Sequence, residues 1–182
     1  IINNWPEESA LAAKPEILYD ALLASEFCVQ PERVGYKIDK VSRDIAGAYY
    51  TSSDFSAQIT YRALENYMDR RRAIDSDSFA CCNEYENITF LDYSCGCGEF
   101  LLAVIQYFDN HVLGYSRKKL ATQLRGVDVN PIALMITIAR IVSAVEAEDD
   151  ENLLREVAKN FIVGNPLLHS DKIAPLEVRF DN

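Results

Sequence analysis

Two carboxylates and a pair of glycines stand where short apolar runs end. Asp92 closes ITFLD, and Gly96 and Gly98 follow inside the stretch DYSCGCGEFL; Asp128 closes a second run, LRGVD. Glycine lets backbone amides approach a ligand with no Cβ in the way. A helix starting just after such a turn aims its positive end at the same place. A carboxylate at the end of the next strand can accept hydrogen bonds from both ribose hydroxyls of a nucleoside cofactor. The dinucleotide fingerprint would also want glycine at position 101, where the chain has Leu101. NAD is therefore disfavoured, which leaves other adenosine-bearing cofactors.

The cysteines invite two other readings. Cys81-Cys82 with Cys95-x-Cys97 could be imagined as four zinc thiolates, but structural zinc sites use gaps of two to four residues. A redox dithiol would want CxxC near a helix start, and CxC is a poor substitute. Cys95 and Cys97 read better as small turn residues. His111 and His169 have no partner at a useful spacing and read as structural or solvent-facing.

The elements around these residues change character along the chain. Pro6–Phe27 carries Leu11, Ile17, Leu18, Leu22 and Leu23 among polar residues and predicts an amphipathic helix pair broken near Pro15. CVQPERVGYKIDKVSRD has no clear period and reads as loop. GAYYTSSDF opens a further helix, with Ser52, Ser53 or Asp54 as cap and Phe55, Ile59, Ala63 and Tyr67 recurring on one face. DSDSFACCNEYEN reads as a connecting loop. From there the rhythm is strand ITFLDY, helix Phe100–Phe108, strand QLRGVDV, a helix from Asn130-Pro131 to about Val145, an acidic helix EDDENLLREVAK and strand NFIVGN, with a fourth strand possible at LEVRF. Ile132, Ile136, Ala139 and Val142 are among the apolar positions of the helix that Pro131 opens. Strand–helix alternation of this kind predicts an α/β fold with a parallel sheet.

The 182 residues suffice for one ordinary domain, or a large piece of one. A formal net charge of −10 argues against this chain alone gripping nucleic acid, which needs clustered Lys and Arg. The runs Arg70–Arg72 and Arg117–Lys119 are short and read as solvated faces, as does the acidic run Glu146–Glu151. Nothing resembles a membrane span or a signal peptide. Five cysteines without framework spacing make a reducing cytoplasm the default location.

With these elements in place, the chain from Gly47 onwards resembles the S-adenosylmethionine-dependent DNA methyltransferases that modify adenine N6, as in restriction–modification and phage-defence systems. DYSCGCGEFL resembles their DPxCGSGxFL motif, GAYYTS the G-x-[YF]-[YF]-T-[PS] element ahead of the sheet, GVDVNPIAL the second motif and NFIVGNPLL the third. Four motifs in family order carry the resemblance. It implies a Rossmann-like methyltransferase sheet with parallel first strands, a helical lead-in over residues 1–46 and a cofactor-binding part over residues 47–182. It also implies roles. Tyr50 and Thr51 would contact the methionine end of S-adenosyl-L-methionine. Asp92, Ser94, Cys95, Gly96 and Gly98 would wrap it, with Phe100 packing nearby. Asp128 would bind the ribose, Val129 the adenine ring, and Asn165 with Leu167 the adenine edge.

The chain departs from the pattern at Tyr93 (usually Pro), Cys97 (usually Ser or Thr) and Asn165 (usually Asp). An uncharged acceptor at 165 would weaken that contact by about 1 kcal/mol. The family's catalytic tetrapeptide [DN]-P-P-[YF] does not occur; Asn165-Pro166-Leu167-Leu168 is the nearest stretch. LEVRFDN looks like the strand that runs into that motif in relatives, so the expectation is a sheet incomplete in this chain, with the catalytic motif beyond Asn182 and no catalytic residue within it. DNA would be met through regions outside this chain, possibly with specificity or restriction subunits. The alternatives are a methyltransferase of the same fold acting on RNA or a protein amide, and a cofactor-binding or assembly module without activity of its own.

Overall fold

Leu124, Leu134, Ile141, Val157 and Phe161 have no exposed surface and Phe108 only 1%. Burying such side chains contributes about 1.5–3 kcal/mol each and holds helices and sheet together. The computed structural model describes residues 25–30, 33–38, 51–74, 85, 88–167 and 174–175, the first two stretches and the last as backbone. The chain divides into two units, Ile1–Tyr50 and Thr51–Asn182.

In the first unit, β1 (Ser25–Gln30) and β2 (Arg33–Ile38) form an antiparallel hairpin, with Ser25 opposite Ile38 and Gln30 opposite Arg33. This corrects the sequence reading, in which Ser25–Phe27 ended a helix and the residues after them were loop. Antiparallel pairing is fixed by main-chain bonds between partners, so SEFCVQ and RVGYKI need no strict alternation to form it. The remainder of the expected helix pair lies outside the described residues.

The second unit begins with α1 (Ser53–Ile74), then runs β3 (Phe90–Asp92), α2 (Glu99–His111), α3 (Arg117–Gln123), β4 (Leu124–Asp128), α4 (Pro131–Ala144), α5 (Glu151–Ala158), β5 (Phe161–Val163) and β6 (Ala174–Pro175). The sheet order is β3-β4-β5-β6. β3, β4 and β5 are parallel, and their register sets Asp92 beside Gly126 and Asp128 beside Val163. The α/β expectation with parallel first strands therefore holds. The third pairing, of β6 with β5, is antiparallel: Ala174 lies opposite Val163 and Pro175 opposite Ile162. The stretch LEVRF, expected as a strand, lies outside the described residues. Among those residues no helix is long and apolar enough to cross a membrane.

Side chains cap the starts of α3, α4 and α5. Asn130 accepts from the Ile132 amide at 3.0 Å, with Pro131 as the first residue of α4. Asp150 accepts from Leu153 at 3.1 Å at the start of α5, in the acidic run. α3 falls in a stretch read only as a short basic run; Ser116 caps it by accepting from Lys119 at 3.3 Å.

α1 presents a different face from the one its apolar stripe suggests. Phe55, Ile59 and Tyr67 are 57%, 43% and 43% exposed, whereas Ser56, Thr60 and Met68 are buried. The buried set repeats with the same four-residue spacing, one position on. The Ser56 hydroxyl donates to the Ser53 carbonyl at 2.9 Å, so a polar side chain is accommodated there. The outward stripe and the edge of β3 border an open groove of about 650 Å³, lined by Ile59, Tyr67, Leu91, Tyr93 and Phe100 among others. On α4 the buried face is Ala133, Leu134, Thr137, Ile138, Ile141 and Val142, and Ile132 is 57% exposed.

Gly126 marks a close approach in the sheet. A Cβ there would stand 2.6 Å from Phe161 Cε1 and 2.7 Å from Cys95 Sγ. Gly126→Ala is expected to destabilise the chain by about 1–3 kcal/mol through overpacking; urea unfolding of variant and parent side by side measures it, and an unchanged midpoint would contradict the packing described.

Candidate functional site

The parallel register brings the ends of β3 and β4 together, and the six residues Tyr93–Gly98 bridge from β3 to α2. Asp92 starts the bridge: its Oδ1 accepts from the Ser94 amide at 3.0 Å, a turn that Asp side chains favour. The Cys95 amide then donates to the Val127 carbonyl at 3.0 Å, and the Gly98 amide to the Cys95 carbonyl at 2.7 Å. Gly98, at φ 87°, adopts a left-handed conformation open to glycine, and a Cβ on it would meet Thr137 Cγ2 at 2.7 Å.

Asp128 reaches across from β4. Its Oδ2 accepts from the Gly96 amide at 2.8 Å and its Oδ1 from the Asn130 amide at 2.9 Å. Each carboxylate oxygen has a second lone pair, so Asp128 retains capacity for two further donors such as vicinal hydroxyls. Asp92 is less satisfied: its Oδ2 is buried and accepts no hydrogen bond from the described residues. Burial raises its pKa above the ordinary value near 3.8; the Ser94 amide opposes this and the Asp128 charge adds to it.

Cys95 is 5% exposed, and its thiol pKa is pushed far above the usual range, chiefly by burial and then by Asp92 and Asp128. It stays a neutral thiol, neither nucleophile nor thiolate ligand. Among the described residues no group of three or more His, Cys, Asp or Glu could hold a metal ion.

Of the residues singled out in the sequence, Asp92, Ser94, Cys95, Gly96, Gly98 and Asp128 come together at this turn. Phe100 is half-buried and lines the groove that also borders Asp92 and Tyr93. Val129, 62% exposed, follows Asp128 directly. Asn165 lies just past β5, whose neighbouring Gly164 amide donates to the Asp128 carbonyl at 2.9 Å. The Asn165 Oδ1 accepts from the Leu167 amide at 2.9 Å, and Leu167 is 91% exposed. Thr51 is half-buried ahead of α1, and Tyr50 lies outside the described residues. Tyr93, which stands where the resembled motif usually has Pro, is 61% exposed, so its ring adds no bulk inside the turn.

Three residues at this turn escaped the sequence reading. Thr137 Oγ1 donates to the Gly96 carbonyl at 2.7 Å, and Arg140 Nη1 donates to the Cys97 carbonyl at 2.6 Å and pairs with Glu99 at 2.7 Å. The available signal was polarity in the wrong place: Thr137 and Arg140 interrupt PIALMITIARIVSA, otherwise almost wholly apolar. No protein-family profile, curated protein or solved structure matches the chain.

The raised pKa of Asp92 has a signed consequence. Between about 3.8 and its higher folded value the native chain binds more protons than the unfolded one, so this group's contribution to stability falls as pH rises through that window. Asp92→Asn keeps the acceptor for Ser94 and removes the buried charge. The variant is expected to be more stable than the parent at neutral pH, the gain vanishing below about pH 4. Denaturant unfolding across that range checks this, and a variant less stable than the parent at neutral pH contradicts it.

Proposed function

We propose that this chain carries the S-adenosylmethionine-binding part of a methyltransferase whose acceptor is adenine N6 in DNA. The observation that carries the cofactor reading is the buried Oδ2 of Asp92, without a donor among the described residues, beside a second carboxylate, Asp128, at a glycine turn. A buried carboxylate oxygen without a donor costs about 1–3 kcal/mol, more when charged. A ligand that brings an ammonium group relieves that cost. Phosphate-bearing cofactors would place like charges against both acids, whereas S-adenosylmethionine is cationic at its sulfonium and carries an ammonium group.

The residues present fit that ligand. Asp92 would hold its ammonium, the turn from Ser94 to Gly98 its methionine portion, and the spare lone pairs of Asp128 its ribose hydroxyls. Val129, apolar and 62% exposed just past Asp128, is available to a flat ring. When bound, the cofactor supplies an electrophilic methyl group on sulfur. The contribution of this chain is to fix the cofactor's orientation and to hold two carboxylates in a partly dry site, where their field is strong.

The acceptor rests on the four motifs in order, GAYYTS, DYSCGCGEFL, GVDVNPIAL and NFIVGNPLL, which resemble the adenine-N6 family. With a net charge of −10 this chain leaves the phosphate backbone to other regions or subunits, and the setting is cytoplasmic.

Calorimetric titration of the chain with S-adenosylmethionine is expected to show saturable binding, weakened at least about tenfold in Asp128→Ala. No binding at millimolar ligand would sink the cofactor reading. The acceptor is tested separately, by incubating the full-length gene product with methyl-labelled cofactor and either unmethylated DNA or RNA. Label recovered as N6-methyladenine from DNA supports the reading, and label confined to RNA or protein overturns that half of it.

A further inference from the structure

We infer that Thr137 and Arg140 of α4, the first buried and the second half-buried, are positioning residues that turn the carbonyls of the glycine loop inward so that its outer side is free for ligand. The inference rests on the proposed cofactor role of that loop. It starts from a geometric requirement: a loop of six residues can offer its surface to a ligand only if its inward carbonyls have partners within the protein. Two carbonyls of this loop are met by α4 side chains rather than by backbone. Thr137 Oγ1 donates to Gly96 at 2.7 Å and Arg140 Nη1 to Cys97 at 2.6 Å.

Burial makes these contacts matter. Thr137 has no exposed surface, and the Arg140 and Glu99 side chains are 18% and 9% exposed. Thr137 also fills the space a Cβ on Gly98 would need, with its Cγ2 2.7 Å from that position, so hydroxyl and methyl both act on the loop. Arg140 serves two ends at once. Its Nη1 bonds the loop at Cys97 and, at 2.7 Å, the Glu99 carboxylate in the first turn of α2. The pairing offsets the charge of a carboxylate whose side chain is only 9% exposed. α4 directly follows the strand that ends in Asp128, so one strand–helix unit grips the loop by a carboxylate on its amide side and by Thr137 and Arg140 on its carbonyl side.

The test separates hydroxyl from shape. Thr137→Val keeps the shape and removes the donor; Thr137→Ser keeps the donor and removes a buried methyl. Both are expected to lower global stability. Only Thr137→Val is expected to weaken S-adenosylmethionine binding, by at least about fivefold, with Thr137→Ser within about twofold of the parent. Hydrogen exchange without ligand supplies an independent readout. The Gly96 and Gly98 amides are expected to exchange about tenfold faster in Thr137→Val, with α5 amides unchanged. The double variant Glu99→Gln/Arg140→Met, which leaves no buried unpaired charge, gives a second route should Thr137→Val fold poorly, and is expected to act in the same direction.

Unchanged loop exchange in Thr137→Val or in the double variant overturns the clamp. Faster exchange with unaltered affinity overturns its positioning role, as does equal loss of affinity in Thr137→Val and Thr137→Ser. If the parent chain binds no S-adenosylmethionine, the cofactor reading fails by itself, and exchange still decides whether α4 holds the loop.

Discussion

The bond from the Gly96 amide to the Asp128 carboxylate, at 2.8 Å, is the constraint from which the site takes its shape. It joins the turn after one strand to the end of the next and spans 32 positions of sequence, so it exists only if β3 and β4 are in register. That register depends on Gly126, which leaves room for Cys95 beneath the turn and for Phe161 from β5. Close packing of this kind tolerates little change in volume. Three short strands thus define the position of a turn that they do not themselves contain.

Charge is distributed around that turn unevenly, and the unevenness has chemical meaning. Glu99 is paired with Arg140, and Asp128 is held by two backbone amides. Asp92 has one amide and one bare oxygen. A fold seeking stability alone would have given that oxygen a donor, because a half-satisfied buried polar group is worse than an apolar one. Deficits of this kind are tolerated where a ligand completes the set, which is why the ligand proposed for this site is one that brings a hydrogen-bond donor, preferably a cation.

Much of the second unit was legible because its apolar residues obey simple periods. Leu101, Val104, Ile105 and Phe108 mark the buried face of α2 at helical spacing, and the short runs before Asp92 and Asp128 are strands. The hairpin over Ser25–Ile38 was not legible, since partner choice rather than pattern makes it a hairpin. The buried face of α1 was not legible either, for a related reason. Phe55, Ile59 and Tyr67 form the more hydrophobic stripe, yet Ser56, Thr60 and Met68 are the residues buried. Periodicity reports that a helix has faces; it does not report which one the fold covers.

The candidate site divides along the same line. Gly96, Gly98, Asp92 and Asp128 could be read from the sequence because their chemistry is local: a turn needs glycine, and a strand end can present an acid. Thr137 and Arg140 could not, because their role exists only between elements 40 or so residues apart. Both sit where helical spacing demands apolar residues, and burying a polar side chain without a partner is costly. Their presence in an apolar helix therefore implied partners before any were visible, and those partners are the Gly96 and Cys97 carbonyls and the Glu99 carboxylate. A polar residue that breaks an apolar period is thus as informative about a site as the glycines that first drew notice to it.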